Sequence, residues 1–276
     1  MLRELCRVLP GGELAAHPPI VALADGDVYQ FGVARGRSLA KLLALFGNAS
    51  TTWGFDTFTG MPRETRGEPT LGIWGRGHFS AGGPAAANAS RARAVAAGAK
   101  LHWVVGDYAT SLTPTLAHER AMRPARYVDL DCDLYRSSHL ALHWVFASGL
   151  ATVGTVIGYD DLWDLPCARG PALAPTDYGG RHVLAVGEGK AHAEVAARFG
   201  VRFRCVCGPC MPMPPRALLD HASWRAYFVV ESVCNTAECV PDTGFSMTDA
   251  QAQQFWTQNA RCKEVRRRHA LRYATR

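Results

Sequence analysis

The sequence lacks the long apolar run that a membrane-spanning helix requires. No stretch of the 276 residues approaches the roughly 20 apolar residues of a membrane span. The first residues, MLRELCRVLPGGEL, have neither a long apolar core nor a small-residue cleavage site, so they do not resemble a secretory leader. We therefore expect a cytoplasmic protein without a membrane partner.

A surplus of positive charge is also absent from most of the chain. The formal net charge is +6, and residues 261–276 alone contain seven basic residues and one acidic residue, so the remainder is formally neutral. Binding to nucleic acid needs a clustered basic surface on the folded body. The composition therefore argues against a nucleic-acid partner, and the basic segment is expected to be the solvated end of a helix.

Cysteine is not scarce, but its nine residues are an odd number in a chain without a secretory leader. This usage favours reduced thiols over disulfides. Cys207 and Cys210 form a C-x-x-C motif, yet the prolines that follow obstruct the helix that a redox-active cysteine needs. The alternative is a structural zinc site formed by Cys205, Cys207 and Cys210 together with Cys234 and Cys239.

Apolar runs with strand character alternate with segments of helical periodicity along most of the chain. The strand-like runs are VYQF, TTWGFD, LHWVV, ARYVDL, TVIGY, VRFRCV and RAYFVVESV. This alternation predicts an α/β protein with a doubly wound, mostly parallel sheet and helices on both faces. Segments 62–90 and 162–186 are expected to be loops, the first of them a lid or a disordered segment, and a polar helix is expected from Thr248 to Arg261.

Three segments follow from this pattern. Residues 1–26 are predicted to be a helical N-terminal extension, because apolar residues recur on one side before Pro10. Residues 27–245 form the predicted α/β domain. Residues 246–276 are the predicted basic C-terminal helix and tail.

Acidic residues follow the fourth apolar run at alternate positions. Asp129, Asp131 and Asp133 would share one face of a strand, and three like charges resist burial on one face. The strand should therefore end near Leu130 and leave its acids at the carboxyl end. Open α/β sheets bind their ligands at that edge.

A second acidic pair, Asp160 and Asp161, follows the apolar run TVIGY in the same manner. Carboxylates that converge from two strand ends favour a divalent cation with oxygen ligands. The alternative is that these acids only cap helices and form turns.

The first strand, turn and helix are typical of a nucleotide-binding unit. Gly32 and Gly36 would let the backbone approach a ligand, and the following helix, which begins near Ser38, offers free N–H groups. Asp56 ends the second strand 24 residues after Gly32, where an acid can accept hydrogen bonds from ribose hydroxyls. The dinucleotide motif G-x-G-x-x-G is missing, which argues against a nicotinamide cofactor.

Five segments together resemble the family of macrocin-O-methyltransferase-like proteins. They are YQFGVARGRS, GFDTFTGMP, VVGDYATSL, DLDCDLYRSS and GTVIGYDD, and the similarity spans roughly residues 28–199. The resemblance implies a seven-stranded, Rossmann-like class I methyltransferase fold. It also implies S-adenosylmethionine and Mg as cofactors and methyl transfer to a hydroxyl of a small molecule, such as a sugar or a catechol.

By position, the resemblance implies roles for individual residues. Gly32, Gly36 and Ser38 would line the methionine end of the cofactor, Asp56 would hold its ribose, and Asp107 would lie near its adenine. Asp131, Asp160 and Asp161 would bind the metal and take part in catalysis. Asp133 competes with Asp131 as the ligand that follows the fourth apolar run. Glu188 matches a position where relatives carry an acid, and Asp129 departs from the family pattern.

Several points stay open at this stage. The general base is any of these acids or a lid histidine, His78 or His182, and a homo-oligomer is neither favoured nor excluded. The string VDLDCD also resembles the nucleophile motif of haloacid-dehalogenase-type phosphatases, although that motif normally follows the first strand. A methyltransferase-like binding module without catalysis is the remaining alternative.

Overall fold

The computed structural model describes residues 24–47, 50–83, 85, 98–169, 182–213, 225–233 and 240–273. The helix expected within residues 1–26 lies almost wholly outside the described residues, as do Cys234 and Cys239. Within the described part of the chain, no helix combines the length and the apolar content that crossing a membrane needs.

Seven strands form one sheet in the order β3-β2-β1-β4-β5-β7-β6. They are β1 (Asp27–Phe31), β2 (Thr51–Asp56), β3 (Lys100–Val105), β4 (Ala125–Leu130), β5 (Val156–Tyr159), β6 (Val201–Cys207) and β7 (Ala226–Val233). All pairs are parallel except those that β7 makes with β5 and with β6. The predicted mostly parallel sheet is confirmed, with one antiparallel strand.

Helices connect these strands. The described α-helices are α1 (Arg37–Phe46), α2 (Tyr108–Ser111), α3 (Leu116–Glu119), α4 (Tyr135–Ala147), α5 (Asp164–Arg169), α6 (Gly187–Phe199), α7 (Asp249–Gln258) and α8 (Ala260–Tyr273). Gly200 ends α6 in the left-handed conformation, as its position after the helix predicts.

The centre of the sheet is buried on both faces, as parallel strands usually are. Every residue of β1 is buried, and Phe31 stacks on Phe55 of β2 at a ring distance of 4.4 Å. The strand order reverses between β1 and β4, where the chain turns from building one half of the sheet to building the other. Such a switch point leaves a crevice at the carboxyl ends of the two strands, where ligands bind.

Two of the predicted segments differ from the structure. Residues 162–186 are not all loop, because α5 lies within them and residues 182–185 form a turn of 3-10 helix. The helix predicted from Thr248 to Arg261 is two helices. Asn259 separates them with an extended backbone, and its side chain accepts a hydrogen bond from the Cys262 N–H at 3.1 Å, so it caps the start of α8.

The prediction of reduced thiols is wrong for most of the described cysteines. Cys167 pairs with Cys262, Cys205 pairs with Cys210, and Cys207 is disulfide-bonded as well. Cys132 is the free cysteine of the described residues. Cysteine spacing does not reveal partners such as Cys167 and Cys262, which are 95 residues apart in the chain.

These pairings also bear on the redox and zinc alternatives. Cys210 bonds Cys205 rather than its C-x-x-C neighbour Cys207, so the motif is not the redox pair that its spacing indicates. The same bonds occupy three sulfurs of the proposed zinc site. Within the described residues, the side chains grouped closely enough to hold a metal ion are carboxylates and not cysteines.

Candidate active site

The glycine turn after β1 packs directly against the end of β4. Gly32 has a φ of +88°, and a Cβ atom there would lie 1.8 Å from the carbonyl oxygen of Asp131, so no other residue fits. Gly36 begins α1 with a left-handed backbone. In the first turn of α1, the Ser38 hydroxyl accepts a hydrogen bond from Gln30 Nε2 at 2.5 Å. The turn therefore joins the predicted cofactor residues to the predicted acid cluster.

Asp56 organises the same turn through backbone hydrogen bonds. Its Oδ2 atom accepts from the N–H groups of Val33 and Ala34 at 2.8 and 2.7 Å, and its Oδ1 atom accepts from the Phe58 N–H at 2.6 Å. Ala34 and Phe58 have positive φ angles of 45° and 56°, so the carboxylate stabilises a strained backbone. A carboxylate has about four acceptor positions, which leaves room for a ligand hydroxyl.

Asp107 has both a structural partner and a place at the cavity. Its Oδ1 atom caps α2 by accepting from the Ala109 N–H at 2.9 Å, and both oxygens accept from the Arg136 guanidinium at 3.0 and 3.2 Å. Burial alone would raise the pKa of Asp107, but the hydrogen bonds from Arg136 and Ala109 outweigh it and hold the pKa below its usual value. Asp107 is therefore a fixed anion at the rim.

The acids of β4 and β5 converge as the sequence predicts. One carboxylate oxygen from each of Asp131, Asp160 and Asp161 lies within 4.8 Å of the others. β4 ends at Leu130, so these side chains lie at the carboxyl ends of two neighbouring parallel strands. Of Asp131 and Asp133, the two candidate ligands that follow β4, Asp131 belongs to this group.

Asp133 reaches the same place by a different route. It lies beyond the end of β4 in a left-handed backbone conformation, with a φ of 63°, so the alternation of a strand does not direct its side chain. It nevertheless lines the cavity beside Asp131. Asp129 lies inside β4 and is fully buried. The prediction that the strand ends near Leu130, before the three acids could share one of its faces, is confirmed.

Two further carboxylates, from Asp164 and Glu188, surround the group. Glu188 lies in the first turn of α6, and its Oε2 atom accepts from the Asp161 N–H at 3.0 Å. Burial raises the pKa of Glu188 well above its usual value, and burial raises that of Asp164 to about 6. Burial, followed by repulsion from Asp160 and Asp129, raises the pKa of Asp131 to about 7. The cluster thus holds more negative charge than its surroundings stabilise.

Arg225 supplies part of the missing positive charge. Its Nη1 atom lies 2.9 Å from Asp129 Oδ1, its Nε atom 2.6 Å from Asp160 Oδ1 and its Nη2 atom 3.7 Å from Asp131 Oδ2. The Tyr127 hydroxyl also donates to Asp129 at 2.7 Å. Arg225 precedes β7, and because β7 is antiparallel to β5, its beginning lies at the carboxyl end of β5.

Arg261 approaches the cluster from the opposite side. Its Nη2 atom lies 3.5 Å from both Asp161 Oδ1 and Asp164 Oδ1. This residue belongs to the segment that the sequence predicts to be solvated, yet the next residue, Cys262, is fully buried in its disulfide with Cys167. The apolar pattern around Arg261 is too weak to reveal this packing, so sequence reasoning missed it.

The donor set fits a divalent cation. Among the described residues, Asp161 Oδ2 and Glu188 Oε1 are buried atoms without a hydrogen-bond partner. Unpartnered buried carboxylate oxygens cost free energy unless a cation meets them. Oxygen ligands from carboxylates are those that Mg²⁺ prefers. Asp131, Asp160 and Asp161 are therefore suited to hold such an ion, with Glu188 orienting Asp161 through its backbone.

One cavity of about 710 Å³ joins the two halves of the site. Its lining includes most of the residues to which the resemblance assigns the cofactor and the metal, namely Gly32, Ser38, Asp56, Asp107, Asp131, Asp160 and Asp161, and the competing ligand Asp133. Gly36 does not line it and acts through the start of α1. His78 is tied to the Ile73 carbonyl oxygen through Nδ1 at 2.7 Å, and the side chain of His182 lies outside the described residues.

No family model and no curated protein matches the sequence. Among solved structures, the chain is similar to CalS11, a calicheamicin methyltransferase, with 22% identity and a TM-score of 0.50 over 74% of this chain and 72% of that chain. It also matches the O-methyltransferase NovP, with 17% identity and a TM-score of 0.47 over 83% and 77% of the two chains. The first likeness confirms the Rossmann-like class I methyltransferase fold.

Proposed function

We propose that the protein is an S-adenosylmethionine-dependent, Mg-dependent O-methyltransferase that acts on a hydroxyl of a small molecule, such as a sugar or a catechol. The observation that carries this proposal is the shared cavity. Both the glycine turn that Asp56 stabilises and the cluster of carboxylates line it. A methyl transfer needs both a cofactor site and a place to activate a hydroxyl. The fold that the chain shares with a calicheamicin methyltransferase supports the same chemistry.

The residues of the cofactor half would bind and orient S-adenosylmethionine. When bound, S-adenosylmethionine supplies an electrophilic methyl group, and a divalent cation lowers the pKa of a coordinated hydroxyl. Gly32 would let the backbone approach the methionine end, and the N-terminus of α1 would offer N–H groups to it. Asp56 would accept hydrogen bonds from the ribose hydroxyls, and it already accepts those from the Val33 and Ala34 N–H groups that stabilise the turn.

The acidic half prepares the nucleophile. Displacement at a methyl group is in line, so the acceptor oxygen must be held opposite the sulfur. Asp131, Asp160 and Asp161 would hold the ion and thereby fix that oxygen. Asp133, which lines the same cavity and is not one of the three proposed ligands, would receive the hydroxyl proton on an Oδ atom.

Calorimetric titration with S-adenosylhomocysteine, with Mg present and after chelation, tests the proposal first. We expect micromolar binding in both conditions, because the turn and Asp56 are ordered by protein hydrogen bonds. A screen of sugars and catechols for methyl acceptance then follows, and activity should require the metal. Absence of binding in both conditions would contradict the methyltransferase assignment.

Arg225 favours a second candidate, a methyltransferase-like binding module without a metal. Its guanidinium contacts Asp129, Asp131 and Asp160 and so provides a resident cation among them. Mg titration separates the two functions. An enzyme of the proposed kind binds Mg in the presence of S-adenosylhomocysteine, whereas the module binds the nucleoside alone and gives no metal-dependent heat. The phosphatase alternative does not account for the glycine turn and Asp56 at the same cavity.

A further inference from the structure

A second, smaller cavity lies on the far side of the acid cluster. It measures about 290 Å³ and runs between the lid segment and helix α8. Leu71 and Trp74 contribute to the lid side, and Arg261 and Val265 contribute to the α8 side. None of the predicted cofactor residues of the glycine turn lines it, so its walls come from segments outside the nucleotide-binding unit.

The two cavities share their boundary. Phe79, Asp133 and Asp161 line both of them, whereas Gly32, Ser38 and Asp56 line only the larger one. A reaction between two substrates needs two adjacent sites that meet at the reacting atoms. The smaller cavity therefore has the position of an acceptor site, since it shares Asp133 and Asp161 with the larger cavity and none of the glycine-turn residues line it.

Helix α8 is fixed in this position by two different contacts. The Arg261 guanidinium lies 3.5 Å from the carboxylates of Asp161 and Asp164. The adjacent residue, Cys262, is covalently bonded to Cys167, and both cysteines are fully buried. Asp164 and Cys167 lie on the same short helix, α5, so the ion pair and the disulfide hold one face of α8 against one element.

The character of the walls indicates the class of ligand. The lid side is apolar and the α8 side carries charged residues, while carboxylates lie at the inner end. A volume of about 290 Å³ is at the lower end of the size of ligand pockets, which suits one ring rather than an extended molecule. A ring with an apolar face and two adjacent hydroxyls matches all three surfaces, because its hydroxyls reach the acids.

We propose that α8 forms one wall of the acceptor subsite, that this subsite takes a single ring with adjacent hydroxyls, and that the Cys167–Cys262 disulfide positions this wall. The inference rests on the proposed methyltransferase function and extends it to the acceptor. Arg261 and Val265 then determine which acceptor binds. They belong to α8, which does not line the larger cavity that holds the cofactor residues.

A chromogenic diol, 4-nitrocatechol, is a suitable probe because its absorbance changes on deprotonation and metal binding. It is titrated into protein loaded with S-adenosylhomocysteine and Mg. We expect Val265→Trp to weaken its binding about tenfold or more, because the larger side chain fills the cavity. The affinity for S-adenosylhomocysteine should stay unchanged. Val240→Trp, at a side chain that is 71% exposed, is the matched control and should bind the probe normally.

A second pair of variants tests the disulfide. Cys167→Ser with Cys262→Ser should weaken binding of 4-nitrocatechol about fivefold or more, because the wall is no longer held. Cys205→Ser with Cys210→Ser removes a disulfide away from α8 and is the control. If Val265→Trp loses S-adenosylhomocysteine binding, it is misfolded. The comparison of the Cys167/Cys262 variant with the Cys205/Cys210 variant then tests the proposal in its place.

The outcomes separate this inference from the proposed function. If the unmodified protein binds no S-adenosylhomocysteine, the methyltransferase proposal fails. If it binds S-adenosylhomocysteine but not 4-nitrocatechol, the diol subsite is wrong while the cofactor site stands. Equal probe affinity in the unmodified protein, in Val265→Trp and in the Cys167/Cys262 variant would exclude α8 as a wall of the subsite.

Discussion

The two halves of the cavity differ in how their acids are stabilised. On the cofactor side, Asp56 accepts three hydrogen bonds from backbone N–H groups, all within 23 residues of it. On the metal side, Asp131, Asp160 and Asp161 depend on guanidinium groups from distant segments. Asp161 Oδ2 still has no hydrogen-bond partner among the described residues. Protein hydrogen bonds alone satisfy the carboxylate of the cofactor half, whereas the metal half keeps a buried carboxylate oxygen without such a bond.

This difference implies a division of labour. A turn stabilised by its own backbone presents a preformed surface, so a ligand that binds there loses little free energy to ordering. Carboxylates with raised pKa values are suited to functions that need a cation or a proton. Changes on the cofactor side should therefore alter cofactor affinity. Changes on the metal side should alter chemistry, metal binding and stability.

The largest effect is expected for Asp160→Asn. The substitution keeps the size of the side chain but removes the charge that a divalent cation needs, so methyl transfer should fall by about 1000-fold or more. Affinity for S-adenosylhomocysteine, measured by calorimetry, should stay nearly unchanged because Asp160 makes no contact with the glycine turn. Asp249→Asn, at an exposed position in α7, is the control. An active Asp160→Asn enzyme would remove the metal assignment.

Arg225→Met should lower stability strongly in metal-free protein. It leaves the fully buried Asp129 without its ion-pair partner, and breaking a buried pair costs about 3 kcal/mol. Denaturant titration in the presence of a chelator measures this loss. The double variant with Asp129→Asn should recover most of the stability, because the uncompensated charge is gone. A loss no greater than that of Arg268→Met, which removes an exposed pair with Glu264, would contradict this account.

The comparison also explains which features the sequence could predict. The positions of Gly32 and Asp56 could be predicted because they depend on short segments with a fixed strand-turn-helix order. Asp131, Asp160 and Asp161 were found because parallel strands must end at one edge of the sheet. These residues need only the strand positions and not the details of packing.

The residues that were missed are those whose neighbours come from packing between distant segments. Arg225 reaches Asp129 only because β7 runs antiparallel, and the sequence does not specify that direction. Arg261 and the Cys167–Cys262 disulfide depend on the break at Asn259, which redirects α8 toward α5. The direction of the Asp133 side chain depends on its own left-handed backbone after the end of β4 at Leu130, and the sequence does not specify that conformation.

A smaller effect is expected for Asp56→Ala. Loss of the carboxylate removes acceptors for the Val33 and Ala34 N–H groups and for the ribose, so cofactor affinity should fall about 30-fold, as two lost hydrogen bonds imply. Calorimetry with S-adenosylhomocysteine measures the change. Asp56→Asn keeps one acceptor oxygen and should give an intermediate affinity. Equal affinity in all three proteins would show that the ribose binds elsewhere.

The smallest effect is a dependence of metal-free stability on pH. Burial raises the pKa of Asp164 to about 6 and that of Asp131 to about 7. A carboxyl with a raised pKa in the folded state stabilises the fold fully below its unfolded pKa of about 4, and this contribution is lost as the pH rises through the folded pKa.

Chelated protein should therefore melt at a lower temperature at pH 7.5 than at pH 5.5, by about 2–4 °C for each 1 kcal/mol that is lost. Mg should oppose the change, because an ion that binds only the folded state with ionised acids stabilises it increasingly as the pH rises. Melting curves at the two pH values, with Mg and with chelator, measure both effects.

The cofactor half provides the internal reference, since S-adenosylhomocysteine should raise the melting temperature by a similar amount at both pH values. If the chelated protein were instead more stable at pH 7.5, the acids of the cluster would be ionised and balanced without a metal. The contrast between the two halves would then be lost.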